Sequence, residues 1–269
     1  AGYSWRDYKI PTQVAAIEAL KQMTPEDTAT ISEMQRWLLQ QKRTQAWDTP
    51  INSADAIYAF LNGNSQALAP QQKSVLSLDG QPLQTSDATA GIGYVKTAIP
   101  LSGQSVSTFT AEKTSTGTSW GAVYAQFTQP ATDIAAQASG ISVKREILIK
   151  DENSTLHVGD RVTVRITIEA DRDYDFVQVE DKRAACMEPV SQRSGYLWAG
   201  GYYCAPKDNA TCYFFNLLSK GRHVIETEYY IDREGIYETG TCTAQCAYSP
   251  EFRGTAKALT LRCVAASNK

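Results

Sequence analysis

The 269-residue chain has little histidine, the side chain that most often serves in acid–base catalysis. It contains two histidines, His157 and His223, and no phosphate-binding glycine loop, H-E-x-x-H or G-x-S-x-G pattern accompanies them. A histidine-dependent triad needs a nucleophile, a base and an orienting group close together. We therefore predict surface or turn histidines in a protein that is not an enzyme and needs no cofactor.

The chain also lacks an excess of positive charge and any long apolar run. A net charge of −3 and a pI near 5.5 are not those of a nucleic-acid-binding protein. No apolar run approaches the roughly 18 residues of a membrane span, and no basic segment with an apolar core stands at the start. Because the chain opens inside a helical repeat, we expect it to be a fragment of a longer parent protein.

Cysteine is absent from the first half of the chain. An even number confined to a β-rich segment is typical of disulfides formed in an oxidising compartment. Zinc sites usually bring ligands in C-x2-C pairs, whereas the closest two cysteines here have three residues between them. We therefore predict disulfides and no metal. The six cysteines are Cys186, Cys204, Cys212, Cys242, Cys246 and Cys263.

A helical pattern occurs twice in the first third of the chain. The segment Ala16–Leu20 is echoed by Ala56–Phe60, each shortly after a proline, and an amphipathic run over Ile31–Leu39 lies between them. A repeat period of about forty residues with two helices per unit indicates an α/α array. We predict that residues 1–64 are the last helices of an α/α toroid.

The pattern then changes to short strands. Alternation over Val75–Leu78 followed by Asp79-Gly80 indicates a hairpin, and Trp120–Phe127 also alternates. These features predict a small β-domain over residues 73–130. Stronger alternation with regularly spaced turns predicts an antiparallel β-sandwich over residues 141–265. The predicted fold class is therefore multidomain, with partial toroid helices followed by all-β domains.

The last two predicted strands suggest a cysteine pairing. If residues 235–247 and 254–264 form a hairpin whose tip lies between Phe252 and Arg253, Cys242 stands opposite Cys263. We therefore predict a cross-strand disulfide between these two cysteines, which depends on the register.

The other four cysteines are assigned by position. Cys204 and Cys212 flank a turn and are predicted to staple it. Cys186 and Cys246 then remain, either as a bond across strands or as two buried thiols.

Two patterns suggest chemistry that we do not expect. Cys242 and Gln245 have the spacing of an internal thioester, but residues three apart on a strand point to opposite faces. Asp171, Asp173 and Asp175 alternate as in some calcium loops, yet Arg172 lies among them and no glutamate completes an EF-hand. We predict an inert strand and a solvated turn.

The order of these parts resembles the C-terminal region of bacterial alpha-2-macroglobulin family proteins. In that family a helical thioester-type domain, a CUB-like β-domain and a last macroglobulin-like domain follow one another. The resemblance is carried by Trp37–Leu39, Gln45–Trp47 and Ala54–Ala59, by Trp120–Tyr124, and by Asp175–Asp181, Cys186–Pro189 and Gln245–Phe252.

The resemblance implies a broad-spectrum protease trap in the periplasm, the cell envelope or outside the cell. Proteases are the implied partners of the full-length parent, which a lipid anchor would suit. The bait segment and any thioester cysteine would lie upstream of Ala1. In the family a Met-Tyr pair on the last hairpin shields the thioester and locks onto the helical domain. The matching positions are Ala247 and Tyr248, so the methionine is replaced.

Two other classes of function are compatible with parts of the sequence. The aromatic-rich segment Tyr196–Phe215 could serve a surface adhesin or glycan-binding module as a stacking platform. A toroid enzyme would need converging acids, and Glu18, Glu33 and Asp55 are too few.

Overall fold

A computed structural model describes residues 8–42, 47–62, 74–85, 96–101, 105–114, 121–149 and 155–266. The described residues form two compact units, one up to Tyr124 and one from Ala125. Residues 65–72, between the first two predicted domains, lie outside the described residues. The predicted domain limits of 1–64, 73–130 and 141–265 remain predictions.

Helices occupy the start of the first unit. The Asp27 carboxylate accepts a hydrogen bond from the Thr30 amide at 3.1 Å, and the Thr49 hydroxyl caps the third helix just before Pro50. None of the described helices is long and apolar enough to cross a membrane. The helices are α1 (Lys9–Met23), α2 (Thr28–Gln40) and α3 (Pro50–Leu61).

The three helices share one apolar core. Two buried or half-buried polar groups add to it, because Gln35 donates to the Ala59 carbonyl at 3.0 Å and Trp47 Nε1 donates to the Leu38 carbonyl at 2.8 Å. Both bonds satisfy groups that would be costly to bury alone. The core side chains are Ile10, Val14, Ile17, Ile31, Leu38, Ala56 and Ala59.

A small antiparallel sheet follows the helices in the first unit. It has the order β2–β1–β3. Asp79 and Gly80 have φ of 46° and 80°, which is the backbone of a tight hairpin turn, so the predicted hairpin is confirmed. The Asp79 carboxylate also accepts the Thr108 amide at 2.8 Å. The strands are β1 (Val75–Leu78), β2 (Gln81–Pro82) and β3 (Phe109–Glu112).

The predicted strand over Trp120–Phe127 is wrong where the structure describes it. Residues 121–127 are not in a strand, and Val123, Tyr124 and Phe127 are exposed. Alternation indicates a strand only when a second layer covers one of its faces, and these side chains are left uncovered.

The second unit is built from strands, which confirms the predicted combination of helices with antiparallel sheets. The large sheet has the order β10-β11-β12-β8-β15-β16-β4-β5-β7-β13-β9 and the small sheet has the order β14-β17-β6, in which β17 and β6 are parallel. The strands are β4 (Gln137–Ser139), β5 (Ile141–Leu148), β6 (Leu156–His157), β7 (Arg161–Ala170), β8 (Tyr174–Lys182), β9 (Met187–Pro189), β10 (Gly195–Leu197), β11 (Tyr202–Pro206), β12 (Ala210–Leu218), β13 (Gly221–Ile231), β14 (Gly235–Glu238), β15 (Cys242–Cys246), β16 (Arg253–Ala256) and β17 (Thr260–Val264).

The large sheet folds over itself around a single core. Strands β12 and β13 are well separated in the strand order, yet Tyr213 and Thr227 join them through their hydroxyls at 2.6 Å. Alternate residues of β7 are buried, as in Val162, Val164 and Ile166. Each such side chain contributes about 2 kcal/mol by leaving water.

The last hairpin changes sheets halfway along. The predicted arm over residues 235–247 is divided into β14 in the small sheet and β15 in the large one, and the return arm is divided in the same way. The two arms of the hairpin stay hydrogen-bonded across the break, where the Thr239 amide donates to the Leu259 carbonyl at 2.8 Å. A Cβ on Gly240 would stand 2.5 Å from that of Lys182, so the crossing requires glycine there.

A buried arginine occupies the point where the hairpin changes sheets. Arg145 on β5 donates to Asp181 on β8 at 2.8 Å, and both side chains are 2% exposed. Its Nη2 nitrogen donates to the Thr239 hydroxyl at 2.6 Å, to the Gly240 carbonyl at 2.8 Å and to the Lys257 carbonyl at 2.7 Å. These carbonyls leave the ladder at the crossing, so the guanidinium replaces their missing partners.

Removing the arginine alone should be costly. We expect Arg145→Met to lower the free energy of unfolding by about 3–5 kcal/mol, because Asp181 would be left buried without its partner. The double variant Arg145→Met/Asp181→Leu should recover only part of that loss, because the carbonyls of Gly240 and Lys257 would still lack their partner. Urea denaturation of the three proteins measures both effects, and a single variant as stable as the wild type would contradict this role for the pair.

Candidate functional site

The tip of the last hairpin lies earlier than the sequence suggested. A turn over Ser249–Phe252 is closed by the Phe252 amide, which donates to the Ser249 carbonyl at 2.9 Å. Pro250 sits at the second position of this turn, where its fixed φ is favourable and its missing N–H costs nothing. Phe252 is therefore part of the turn rather than the residue before the tip's midpoint.

This register separates two cysteines that were predicted to bond. Cys242 lies opposite Ala256 in β16, and Cys263 lies opposite Gly235 in the small sheet. The predicted Cys242–Cys263 disulfide is therefore wrong, because the turn at Pro250 shifts the pairing.

The second predicted pair is also out of register. Cys204 lies opposite Tyr213, and Cys212 lies opposite Ala205. The two cysteines are offset by one residue, which turns their side chains to opposite faces of the sheet. The predicted staple is therefore wrong.

The remaining cysteines have other neighbours. Cys246 donates to the Asp175 carbonyl at 3.2 Å, whereas Cys186 Sγ lies 3.7 Å from Cys263 Sγ. Of the two alternatives left open for Cys186 and Cys246, the bond between them is therefore wrong, whereas two buried thiols are what the structure has. All six cysteines are free thiols in this structure.

An aromatic pair projects at the hairpin tip. Tyr248 and Phe176 meet edge to face with ring centroids 5.4 Å apart, and their residues are 53% and 46% exposed. The Ala247 amide donates to the Phe176 carbonyl at 2.8 Å, which fixes the tip to β8. The two residues expected from the resemblance, Ala247 and Tyr248, thus lie together at this tip. Phe176 was not predicted as part of the site.

Phe176 has a backbone conformation that its side chain disfavours. Its φ is 53°, in the left-handed region where a bulky residue is strained. Neighbouring Val177 is fully within the core, so the twist turns the Phe176 ring outward toward Tyr248. Such strain persists only where the surroundings impose it, and it is often found at functional positions.

Side-chain contacts support the base of the tip. Tyr174 packs against Phe252 with ring centroids 5.2 Å apart and donates to Asp171 at 2.6 Å. Burial and the Asp171 carboxylate raise the pKa of the Tyr174 phenol well above its usual value. Burial opposes ionisation of Asp171, but hydrogen bonds from Arg172 and Tyr174 outweigh it and lower the Asp171 pKa. Charged and aromatic contacts, which are present at neutral pH, therefore support the hairpin tip.

The alternating aspartates have structural partners. Asp171 binds Arg172 and Tyr174, and Asp173 accepts the Lys220 amide at 2.7 Å. Among the residues that the structure describes, no cluster of three or more potential metal ligands occurs.

Among the described residues, the two histidine rings have acidic or backbone neighbours. His157 ends β6 just before a turn, where its amide donates to Asp160 at 2.8 Å, and His223 Nε2 lies 2.7 Å from the Ser219 carbonyl. The thioester-like spacing is divided between two faces, because Cys242 is buried and Gln245 is exposed. Both placements agree with the sequence predictions.

A second exposed aromatic group lies at the edge of the large sheet, on the β10–β11 hairpin. Tyr196 and Trp198 meet with ring centroids 4.6 Å apart, and Trp198 is 86% exposed. Tyr203 on β11 is also exposed and lies opposite Tyr196.

The fold of the second unit is that of an antiparallel sandwich ending in a projecting hairpin. Residues 140–251 match the family described as the bacterial alpha-2-macroglobulin MG10 domain. This match includes both residues of the aromatic pair at the tip, Phe176 and Tyr248. Residues 140–251 are thus similar to a bacterial alpha-2-macroglobulin MG10 domain, and the resemblance recognised from the sequence is confirmed for this part of the chain.

Solved structures of bacterial alpha-2-macroglobulins resemble the chain at low identity. Escherichia coli alpha-2-macroglobulin activated by porcine elastase shares 14% identity over 94% of this chain and 23% of its own, with a TM-score of 0.49. The trypsin-activated Escherichia coli protein shares 12% identity over 94% of this chain and 18% of its own, with a TM-score of 0.48. Salmonella alpha-2-macroglobulin reacted with methylamine shares 15% identity over 95% of this chain and 17% of its own, with a TM-score of 0.44.

The chain therefore spans about a fifth of the length of these structures, from 17% to 23%. A search of the curated proteins found no match. The family assignment rests on the MG10 match.

The strain at Phe176 can be measured directly. We expect Phe176→Gly to be more stable than Phe176→Ala by about 1 kcal/mol, because glycine adopts the left-handed conformation without cost. At the exposed position Gln178 on the same strand, glycine should instead be less stable than alanine. Urea denaturation of the four variants makes the comparison, and the same order at both positions would contradict the assigned strain.

Proposed function

We propose that the chain is the C-terminal part of a bacterial alpha-2-macroglobulin-like protein that traps proteases without catalysing a reaction. The MG10 match over residues 140–251 is the observation that carries this proposal. A location in the periplasm, the cell envelope or outside the cell belongs to the same proposal. So does inhibition of proteases by the full-length parent.

The hairpin tip supplies a contact suited to such a protein. Phe176 and Tyr248 offer two half-exposed rings on a rigid base. Aromatic side chains bury large areas at interfaces and lose little conformational entropy when they do so. We propose that this pair packs against the helical domain of the same parent, with Tyr248 as the plug and the small Ala247 allowing close approach.

Trapping would depend on releasing this contact. A target protease cleaves a bait segment elsewhere in the parent, the domains rearrange, and the attacker is enclosed. Two of the similar structures are Escherichia coli proteins described as activated by trypsin and by elastase. We propose the same kind of activation for the parent of this chain.

The tip can be tested in the full-length parent. We expect Tyr248→Ala to weaken domain docking, so that the uncut protein adopts part of the compact change that protease cleavage produces in the wild type. Trp198→Ala is a matched control, because it removes an exposed aromatic from a hairpin at the far edge of the sheet. Small-angle scattering before and after protease treatment measures the radius of gyration.

Two results would count against the proposal in different ways. An unchanged radius after cleavage of the wild type would contradict trapping. A normal change in the wild type together with identical behaviour of Tyr248→Ala would contradict the role of the tip alone.

A glycan-binding adhesin is the second candidate. The observation that favours it is Trp198, which is 86% exposed and stacked edge-on against Tyr196. Exposed aromatic rings on a hairpin are suited to stacking on the apolar face of a sugar.

A glycan array distinguishes this candidate from trapping. If the platform binds sugars, Trp198→Ala should reduce the signal by about tenfold or more, whereas Tyr248→Ala should leave it unchanged. Trapping predicts that the wild type binds no glycan on the array.

A further inference from the structure

Two cysteine sulfurs meet inside the second unit. Cys186 Sγ and Cys263 Sγ are 3.7 Å apart, and the residues are 0% and 3% exposed. Small rotations of the two side chains would bring the sulfurs to the bonding distance of about 2 Å. Among the described residues, this is the contact in which the sulfurs of two cysteines meet.

The other cysteines have neighbours that exclude them from this pair. Cys246 is hydrogen-bonded to the Asp175 carbonyl at 3.2 Å, and Cys242 lies beside the Asp181 carboxylate. Cys204 and Cys212 are offset by one residue on adjacent strands, so they face away from each other.

The two sulfurs bring together the small sheet and the edge of the large one, which are separate sheets in the strand order. Cys186 immediately precedes β9, and its carbonyl accepts the Asp232 amide at 2.9 Å just after β13. Cys263 lies in β17, the middle strand of the small sheet, between Leu156 and Gly235. A bond between them would fasten the small sheet to the edge of the large one.

We propose that Cys186 and Cys263 form a disulfide that fastens the last strand of the chain to the large sheet. This inference is independent of protease trapping. It replaces the pairings that the sequence suggested with one that the fold supplies. A bond closing a loop of this length removes many conformations from the unfolded chain.

The chemistry requires an external disulfide, from a thiol–disulfide oxidoreductase or oxidised glutathione. One cysteine thiolate attacks a sulfur of that disulfide to form a mixed disulfide and release a thiol. The second cysteine then displaces the other external thiol. Two protein thiols are thus oxidised to a disulfide, and their two protons pass to the external disulfide, which is reduced to two thiols.

This exchange belongs to folding rather than to the finished structure. Burial, with the Cys263 sulfur beside it, raises the pKa of Cys186 to about 12, and burial also raises the pKa of Cys263. Thiolate is the reactive form, so little is present once the pair is enclosed. We expect the bond to form before the two sheets close on each other.

Peptide mapping of the full chain tests the pairing. The protein is produced in an oxidising compartment, free thiols are alkylated under denaturing conditions without reductant, and trypsin is added. Cleavage at lysine and arginine places Cys186 on the peptide 184–193 and Cys263 on the peptide 263–269, whereas Cys242 and Cys246 share the peptide 234–253. We expect mass spectrometry to find the first two peptides linked, and reductant to separate them.

Two results would overturn the proposal. One is recovery of the peptides 184–193 and 263–269 separately and fully alkylated. The other is a link from 263–269 to 234–253, which would restore the register predicted from the sequence.

Variants test whether the disulfide stabilises the attachment of the small sheet to the large one. Cys186→Ser should free Cys263 for alkylation, whereas Cys204→Ser should leave the link intact. Reduction should lower the melting temperature of the wild type by roughly 5–15 °C and that of Cys186→Ser hardly at all. Equal shifts in both proteins would show that the bond does not fasten the sheets. The peptide map of the wild type decides the pairing even if a variant fails to fold.

Discussion

The sandwich depends on one buried ion pair at the point where its last hairpin leaves one sheet for another. Crossing between sheets breaks the ladder and leaves backbone carbonyls inside the protein, where a lost hydrogen bond is expensive. Arg145 reaches the carbonyls of Gly240 and Lys257 and also binds Asp181. Burying a guanidinium costs several kcal/mol, and only an arrangement that uses most of its donors offsets that cost. The crossing and the ion pair therefore require each other.

Both ends of the hairpin follow from this arrangement. On one side of the crossing, β14 and β17 enter the small sheet and bring Cys263 next to Cys186. On the other side, β15 pairs with β8 and carries the tip to Phe176, where Ala247 and Tyr248 lie. One polar cluster thus sets the positions of the candidate docking site and of the candidate disulfide.

Local features of the fold could be predicted from the sequence because short-range chemistry determines them. The Asp79-Gly80 turn required positive φ at both residues, and the alternation after residue 141 required a sheet with a covered face. The hairpin register could not be found in this way, since it depended on which four residues formed the turn, and the structure has Ser249–Phe252 there. The exposed segment over residues 121–127 shows the same limit, because alternation alone does not reveal whether a second layer exists.

The site was predicted only in part. Ala247 and Tyr248 were named through a family resemblance, whereas their neighbour Phe176 had no signal of its own. An apolar residue next to Val177 on an alternating strand was a hint, but the left-handed backbone that turns its ring outward arises from tertiary contacts. Arg145 was likewise hidden, because a charged residue in an alternating strand suggests a solvent-facing position. Its burial makes sense only when the three carbonyl and carboxylate partners are assembled from distant parts of the chain.

Native-state hydrogen exchange tests most directly whether the ion pair unites the two sheets. We expect amides of β14, β15 and β17 to exchange only through the same global opening that exposes β7 and β13, with equal free energies of opening. Separate exchange of the last hairpin, at several kcal/mol below the global value while β7 and β13 stay protected, would contradict it.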